Sequence, residues 1–415
     1  MDNLDISVIT SMENFISLKE EWENILSINI EDNFYYSFDW YYAASHFFID
    51  PIGSPFIICV KIKQKVIAIL PCCIIRKRLR LFSFNSLEFI GNIYSAYRGG
   101  VVLKGKENVV AAAVADSLLI TYRTSWDIIH FEDMSASDAF LSTLFQVIQS
   151  RDNVITRISE QYADLIVDIE PGMSSLDYWQ SRGKNLKHNI RRRINKMNRE
   201  GIFMIVPTTH SGQDIQSAMD HYYEIFRHSW KEPEIDPQFH RKLATYLMEK
   251  GKLRLFTLYF KKGEPHSVND NNFPILSYES DLSPDQSIPK GYLPISTYFC
   301  AVSGSYACVL KSAYHEDFSS YSSSSVLEWF TIKWLLDMDN VTVIDFQKHD
   351  DVYKFDWGRV KEMHVLFQAA NSRNLLAVLE IWGEKNLIPL LRKIKRARLW
   401  LTANDYLRQY ADRGK

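Results

Sequence analysis

Residues 56–75 read FIICVKIKQKVIAILPCCII, two runs rich in β-branched residues (56–62 and 66–75) on either side of the polar turn Lys63-Gln64-Lys65. Runs of this kind bounded by a short turn predict a β-hairpin. Two helices precede it. In 12–28, Phe15, Leu18, Trp22, Ile25 and Leu26 recur at helical spacing on one face. Residues 38–48 form a second, aromatic-rich helix. After the hairpin come further strand over 79–90, a helix over 107–122, a buried-type strand over 126–131 and a helix over 137–150. The second half of the chain repeats this order. Helices over 178–199, 213–230 and 239–249, the last ended by Gly251, lead into a strand over 253–260 and the basic turn Lys261-Lys262-Gly263. Partner strands follow at 294–302 and 307–313. Then come a helix over 323–336, a strand over 341–346, a short helical stretch near Tyr353 and a strand over 364–369. The recurring unit predicts an α/β fold built from two copies of one domain.

The arithmetic of the chain agrees. A single packed core rarely grows past about 250–300 residues, so 415 residues predict two domains. A hydrophobic fraction of 46% excludes a disordered chain. The net charge of −2 leaves no whole-protein field to recruit nucleic acid or an anionic membrane, so any basic surface is local. Cys59, Cys72, Cys73, Cys300 and Cys308 lie in apolar, strand-like runs, as reduced thiols of a cytoplasmic protein do. The start, MDNLDISVIT, has early acids and no basic or apolar leader region. No apolar run approaches the roughly 20 residues of a membrane span. A cytoplasmic location is expected.

Two segments stand outside the repeat. Residues 264–292 interrupt the second hairpin with Asp, Asn, Ser and Pro, and read either as a solvated excursion or as a lid over substrate. Residues 375–406 read as a helix with Leu387, Leu391 and Ile394 on one stripe, and Arg392, Lys393, Lys395, Arg396 and Arg398 around it. Such a helix packs on its own domain, or lies on an anionic membrane or a partner.

Several catalytic signatures are missing from the sequence: the phosphate-binding G-x-x-x-x-G-K-[ST] loop, G-x-G-x-x-G, H-E-x-x-H, C-x-x-C and G-x-S-x-G. The 11 His are scattered, and no metal is expected. Chemistry-bearing residues concentrate between Ala313 and Gly358. Tyr314-His315-Glu316-Asp317-Phe318, then Tyr321 and the serines Ser322, Ser323, Ser324 and Ser325, join a strand to a helix. Serines at a helix start supply capping oxygens, and the open N–H groups and helix dipole favour an anion. A well-capped helix with nothing bound reads the same. Downstream, Asp345 ends a buried-type strand, and Tyr353-Lys354-Phe355-Asp356-Trp357-Gly358 follows. An acid at a strand's carboxyl end is where α/β folds place ligand chemistry, although an Asp345–Lys354 ion pair holding a loop fits the spacing equally.

Tyr314, Phe318, Tyr321-Ser322, Leu327, Asp345-Phe346, Tyr353-Lys354 and Trp357 carry a family resemblance. Together with Phe38 to Trp40, the run Val66-Ile67-Ala68-Ile69-Leu70-Pro71 and the basic stretch 184–193, the pattern resembles the CelD/BcsL-like acetyltransferases, a FemAB-related branch of the GNAT superfamily. That family's usual Pro-Gly is replaced by Ser323-Ser324. The resemblance implies two tandem GNAT-like domains with mixed, largely antiparallel sheets flanked by helices. They would span 1–170, a degenerate copy, and 171–372, which holds the acyl-transfer motifs, with a helical extension over 373–415. It further implies an N-acyltransferase that moves an acyl group from a CoA thioester, acetyl-CoA foremost, to a small-molecule amine, with an amino sugar for polysaccharide synthesis as the analogy. In that reading Tyr321, Ser322, Ser323, Ser324 and Ser325 hold the donor. His315, Glu316 and Asp317 orient or deprotonate the amine, and Tyr314, Tyr321 or Tyr353 protonates the leaving thiolate. Asp345, Lys354, Trp357 and Tyr314 shape the acceptor pocket. The basic helix over 182–199 has a stripe of Leu186, Ile190, Ile194 and Met197 and no acid. It is a solvated face, a phosphate contact, or a site for tRNA as in FemAB-like aminoacyl transfer. A non-catalytic GNAT-like scaffold is the remaining alternative.

Overall fold

The computed structural model of the protein describes residues 4–29, 32–48, 53–79, 82–263, 291–348 and 352–382. The insertion, apart from its last residues, and the basic stripe at Leu387 to Arg398 lie outside them.

The first half contains β1 (Leu4–Ile9), α1 (Met12–Ile16), α2 (Lys19–Asn29), α3 (Phe38–His46), β2 (Ser54–Ile62), β3 (Lys65–Leu79), β4 (Phe82–Phe89), β5 (Val101–Val102), α4 (Glu107–Asp116), β6 (Ile128–Ser135), α5 (Ala139–Gln149) and β7 (Val154–Asp168). The second half contains α6 (Ser175–Ser181), α7 (Lys184–Glu200), β8 (Gly201–Thr208), α8 (Ile215–Arg227), α9 (Pro237–Glu249), β9 (Leu253–Lys262), β10 (Leu293–Ser303), β11 (Tyr306–Tyr314), α10 (Ser323–Asp337), β12 (Val343–Lys348), β13 (Arg359–Asn371) and α11 (Leu375–Trp382).

Local chemistry explains these elements. The β2–β3 hairpin closes on Lys63 and Gln64, both left-handed at φ 47° and 70°, the backbone of a two-residue turn whose twist matches the flanking strands. Cys72 and Cys73 point to opposite faces of β3 and join different core clusters. The expected helix over 12–28 is two helices, because Ser17 closes α1 with its N–H on the Glu13 carbonyl. The expected helix over 178–199 is also split, with Gly183 between α6 and α7. Strands β1, β7 and β8 were not expected from the sequence. The first two-thirds of β7 alternates or stays half-exposed, so its polar residues hide the strand.

The strands form one mixed sheet in the order β1-β2-β3-β4-β6-β13-β7-β12-β11-β10-β9-β8, with β5 on β3. The pairing is antiparallel except for β4 with β6 and β11 with β12. In the second half, α6, α7 and α10 cover one sheet face. Helices α8 and α9 cover the other, where Phe34, Tyr35, Trp40 and Tyr97 of the first half join them. The α/β fold with a mixed sheet flanked by helices is as the sequence predicted.

The halves exchange their last strands. β13 pairs antiparallel with β6 and β7, while β7 pairs with β12. A single sheet therefore runs unbroken across the middle of the molecule. Across the exchange, His364 on β13 meets Asp164 on β7 at 2.6 Å with neither residue exposed. The rings of Tyr162 and Tyr97 pack on the imidazole at 4.7 and 4.6 Å. Removing one member of such a pair strands its partner in a dry site. Asp164→Asn is expected to lower unfolding free energy by ~3 kcal/mol in urea titrations, with one cooperative transition retained. A loss below ~1 kcal/mol would mean that the pair does not clamp the exchange.

Candidate functional site

β11 and β12 run side by side for a short distance only. Their parallel register is Tyr306↔Val343, Ala307↔Ile344 and Cys308↔Asp345, after which β11 continues to Tyr314 and β12 to Lys348. Asp345 sets the divergence. Its fully buried carboxylate accepts the Tyr306 hydroxyl at 2.5 Å and the Gln347 N–H at 2.6 Å. Gln347 is thereby held left-handed at φ 59°, a conformation that bends a strand and is uncommon for a residue other than glycine. Burial and the nearby Asp164 charge push the Asp345 carboxyl above the usual carboxylate range.

The fork so formed encloses a cavity of about 700 Å³. Residues from both sheet faces line it. From the α10 face come Ser322, Ser324, Ser325 and Glu328, with Tyr298 and Lys354. From the opposite face come Ile93 and Tyr94 of the first half and Trp230, Lys231 and Glu232 of the α8–α9 connection. The free edge of β11, from Val309 to Tyr314, and Phe346 to Lys348 of β12 complete the wall. Backbone groups along a diverging strand edge can pair with an extended amide chain as a neighbouring strand would.

The serines act differently from the sequence expectation. Ser322 precedes α10 in the left-handed region, at φ 48° and ψ 46°, and makes no side-chain cap. Ser323 is buried, with its hydroxyl on the Ile295 carbonyl at 3.4 Å. The amides of Ser323 and Ser324 fall in the first helical turn, where no intrahelical carbonyl is available. Beside them, Arg193 and Lys196 of α7 reach Ser320 at 2.7 and 3.1 Å. Helix α7 buries Leu186, Ile190, Ile194 and Met197 as its stripe required and turns Lys184, His188, Arg192 and Arg199 outward.

The structure brings together Tyr314, Ser322, Ser324, Ser325 and Lys354 on the cavity wall. Others lie elsewhere. Tyr321 is buried and donates to Glu200 at 2.6 Å. His315 caps the turn Glu316–Tyr321 and stacks on His228 at 4.4 Å. Burial and that neighbour lower its pKa. Glu316 and Asp317 are exposed on the same turn, outside the cavity lining. Asp345 is behind the fork rather than in it. Lys354 is not on Asp345 but donates to the carbonyls of Phe346 and Lys348, at 3.2 and 2.9 Å. Trp357 is buried, and its carbonyl takes the Tyr178 hydroxyl and the Arg182 guanidinium, each at 2.6 Å. Gly358 follows because a Cβ there would sit 2.1 Å from the Ile166 carbonyl of β7. Tyr353 belongs to the turn Val352–Asp356.

Sequence reasoning missed Glu328. It is the only charge between Val326 and Ile332 on a helix buried nearly all round, and that isolation was the available signal. Its Oε1 has no hydrogen-bond partner among the described residues. Burial, opposed in part by Trp357, Lys354 and Tyr298, pushes its carboxyl up to about 8.

The corresponding fork of the first half is closed. β4 and β6 pair only at Ser86↔Ile128 and Leu87↔Ile129, and Asp133 of β6 is left-handed at φ 57°, as Gln347 is on β12. The chain's own loop fills the gap. The Arg98 N–H donates to the Asp133 carbonyl at 2.9 Å, and its buried guanidinium meets Glu132 and Asp133 at 2.8 and 3.3 Å.

Comparison with known proteins agrees with this geometry at the level of fold. Residues 184–269 match the acetyltransferase (GNAT) domain. The chain is similar in structure to FemX, with 10% identity and a TM-score of 0.54 over 91% of this chain and 100% of that one, a likeness of fold. Weaker likenesses are to a tandem GNAT protein from the clavulanic acid biosynthesis pathway (9% identity, TM-score 0.44, 89% and 99% of the two chains) and to Saccharomyces cerevisiae N-myristoyltransferase with bound myristoyl-CoA (9%, 0.40, 89% and 79%). No curated protein matches in sequence. No helix among the described residues is long and apolar enough to cross a membrane.

The environment of Glu328 generates a pH test. Its carboxyl keeps a proton in the folded state up to about pH 8, whereas unfolding restores the ordinary value near 4.5. Between those values the folded chain binds the extra proton, so this group's contribution to stability falls as pH rises. Glu328→Gln cannot lose that proton. Relative to the native protein, the variant should gain about 2–4 kcal/mol between pH 5 and pH 8 in urea unfolding. A pH-independent difference would place Glu328 in an ordinary solvated environment.

Proposed function

We propose that the protein is an N-acyltransferase whose donor and acceptor meet in the β11–β12 fork. One observation carries this reading: the cavity opens through the sheet, with the first turn of α10 on one face and Tyr94, Trp230 and Lys311 on the other. A thioester donor would lie on the α10 face. Its pyrophosphate would take the amides of Ser323 and Ser324 together with the helix dipole, flanked by Arg193 and Lys196. Its pantetheine amides would pair with the β11 edge. The amine enters from the opposite face. Its nitrogen attacks the thioester carbonyl carbon, a backbone N–H of the edge stabilises the oxyanion, the C–S bond breaks, and the amine's proton passes to the thiolate. Tyr314, which lines the cavity, would relay that proton. His315, Glu316 and Asp317 follow it outside the lining and would act on the arriving amine only there.

Acetyl-CoA is the proposed donor, and an amino sugar the proposed acceptor by family analogy. The two tandem units would be 1–170 and 171–372. The plugged β4–β6 fork supports assigning chemistry to the second unit alone. A second reading, aminoacyl transfer from tRNA, has Arg193 and Lys196 of α7 in its favour, since they reach Ser320 in the donor turn. The scaffold reading calls for a fork filled by side chains, and that description suits the first half rather than the second.

Because backbone groups would bind the donor, bulk at Ser324 matters more than its hydroxyl. Calorimetry with acetyl-CoA should give a Kd change under about threefold for Ser324→Ala and a weakening of at least about tenfold for Ser324→Leu, with unchanged circular dichroism. Equal and negligible effects of both would place the donor elsewhere.

A further inference from the structure

Four lysines line the cavity: Lys231, Lys311, Lys348 and Lys354. Three have oxygen partners. Lys348 pairs with Asp133 at 2.8 Å, Lys354 donates to two carbonyls, and Lys231 donates to the Ser312 carbonyl. Lys311 differs. Its ammonium lies over the ring of Tyr94, 4.5 Å from the centroid, and among the described residues no hydrogen-bond acceptor or ion-pair partner reaches it. Glu234 attracts it only through space: its Oε1 is held at 2.9 Å by both Tyr222 and His240, and it makes no ion pair with Lys311. Lys311 is therefore a largely desolvated cation whose remaining free direction is the cavity. A face-on aromatic ring offsets only part of its lost hydration.

Lys311 also occupies a definite place along the fork. It stands three residues beyond Cys308, the last β11 residue in register with β12, or ~10 Å along the strand at ~3.3 Å per residue. It is on the side of Tyr94 and Trp230, away from the donor turn at Ser322. Trp230 and Ile93, at the same end, are 65% and 55% exposed, a broad apolar lip beside the cation.

We propose that Lys311 is the anion-recognition residue of the acceptor subsite, so that the acceptor is a small amine carrying a carboxylate or phosphate rather than a neutral amine. This rests on the acyltransferase reading for the word acceptor, but the anion site itself does not. The acceptor's anionic group pairs with Lys311, its body lies against Tyr94 and Trp230, and its amine points back toward the fork. The same positive charge disfavours the protonated form of a nearby amine, which helps supply the neutral nucleophile.

The test labels the native protein by reductive methylation and follows each lysine by peptide mass spectrometry. Lys311 is compared with surface Lys250 at constant ionic strength in chloride, acetate or inorganic phosphate. Slowing of Lys311 by at least about fivefold, with Lys250 unchanged, is expected in at least one oxyanion. Protection by acetate alone assigns a carboxylate, and by phosphate a phosphate group. Equal rates in all three salts overturn the proposal. A second arm measures CoA release from acetyl-CoA with glucosamine, glucosamine 6-phosphate and 2-amino-2-deoxygluconate. Preference for a charged amine, lost in Lys311→Met and regained in Lys311→Arg, supports it, and preference for neutral glucosamine overturns it. Protection without CoA release from any amine would retain the anion site and count against the acyltransferase reading instead.

Discussion

Everything that distinguishes the second half of this molecule from a closed sheet depends on how soon β12 leaves β11. The register ends at Cys308↔Asp345, and Asp345 makes the departure permanent by holding the Gln347 amide and the Tyr306 hydroxyl. A left-handed glutamine costs backbone energy of order 1 kcal/mol, which two short hydrogen bonds to a buried carboxylate offset. Without that bend the strands would continue to pair, and neither the edge of β11 nor the first turn of α10 would face a cavity. Asp345 thus shapes the fork from one layer behind the cavity wall.

The two forks show what sequence divergence does to a repeated architecture. Both follow a short parallel register, and both place a left-handed residue on the departing strand, Asp133 or Gln347. In the first half, Arg98 and its loop occupy the space. In the second, the 3₁₀ turn and the serines keep side chains small beside it. The strand exchange through β7 and β13 then fixes the halves against each other. This is how Ile93 and Tyr94 of the closed half come to line the open half's cavity.

The hairpins, the helices with clean apolar spacing and the repeat itself were legible in the sequence, because each follows from local periodicity. The exchange was not, since β7 and β13 pair with strands far from them along the chain and β7 presents polar residues on its open face. Within the site, the motif between Ala313 and Gly358 led to Tyr314, the serines and Lys354. It did not separate the residues that line the cavity from those that shape it. Asp345 and Trp357 read as ligand-facing because they are polar or aromatic at a strand end, yet both are buried as supports. Glu328 and Lys311 were overlooked because each is a single charge inside an apolar element. Only the packing around them reveals that they are desolvated.

The central claim is that the open β11–β12 fork, and not its closed counterpart, receives the acyl donor. Hydrogen–deuterium exchange with and without saturating CoA tests it most directly. The account predicts slowed exchange over residues 309–314 and 322–326, with residues 82–90, 98–102 and 128–135 unchanged. Protection confined to the first-half fork, or no change at either, would contradict it.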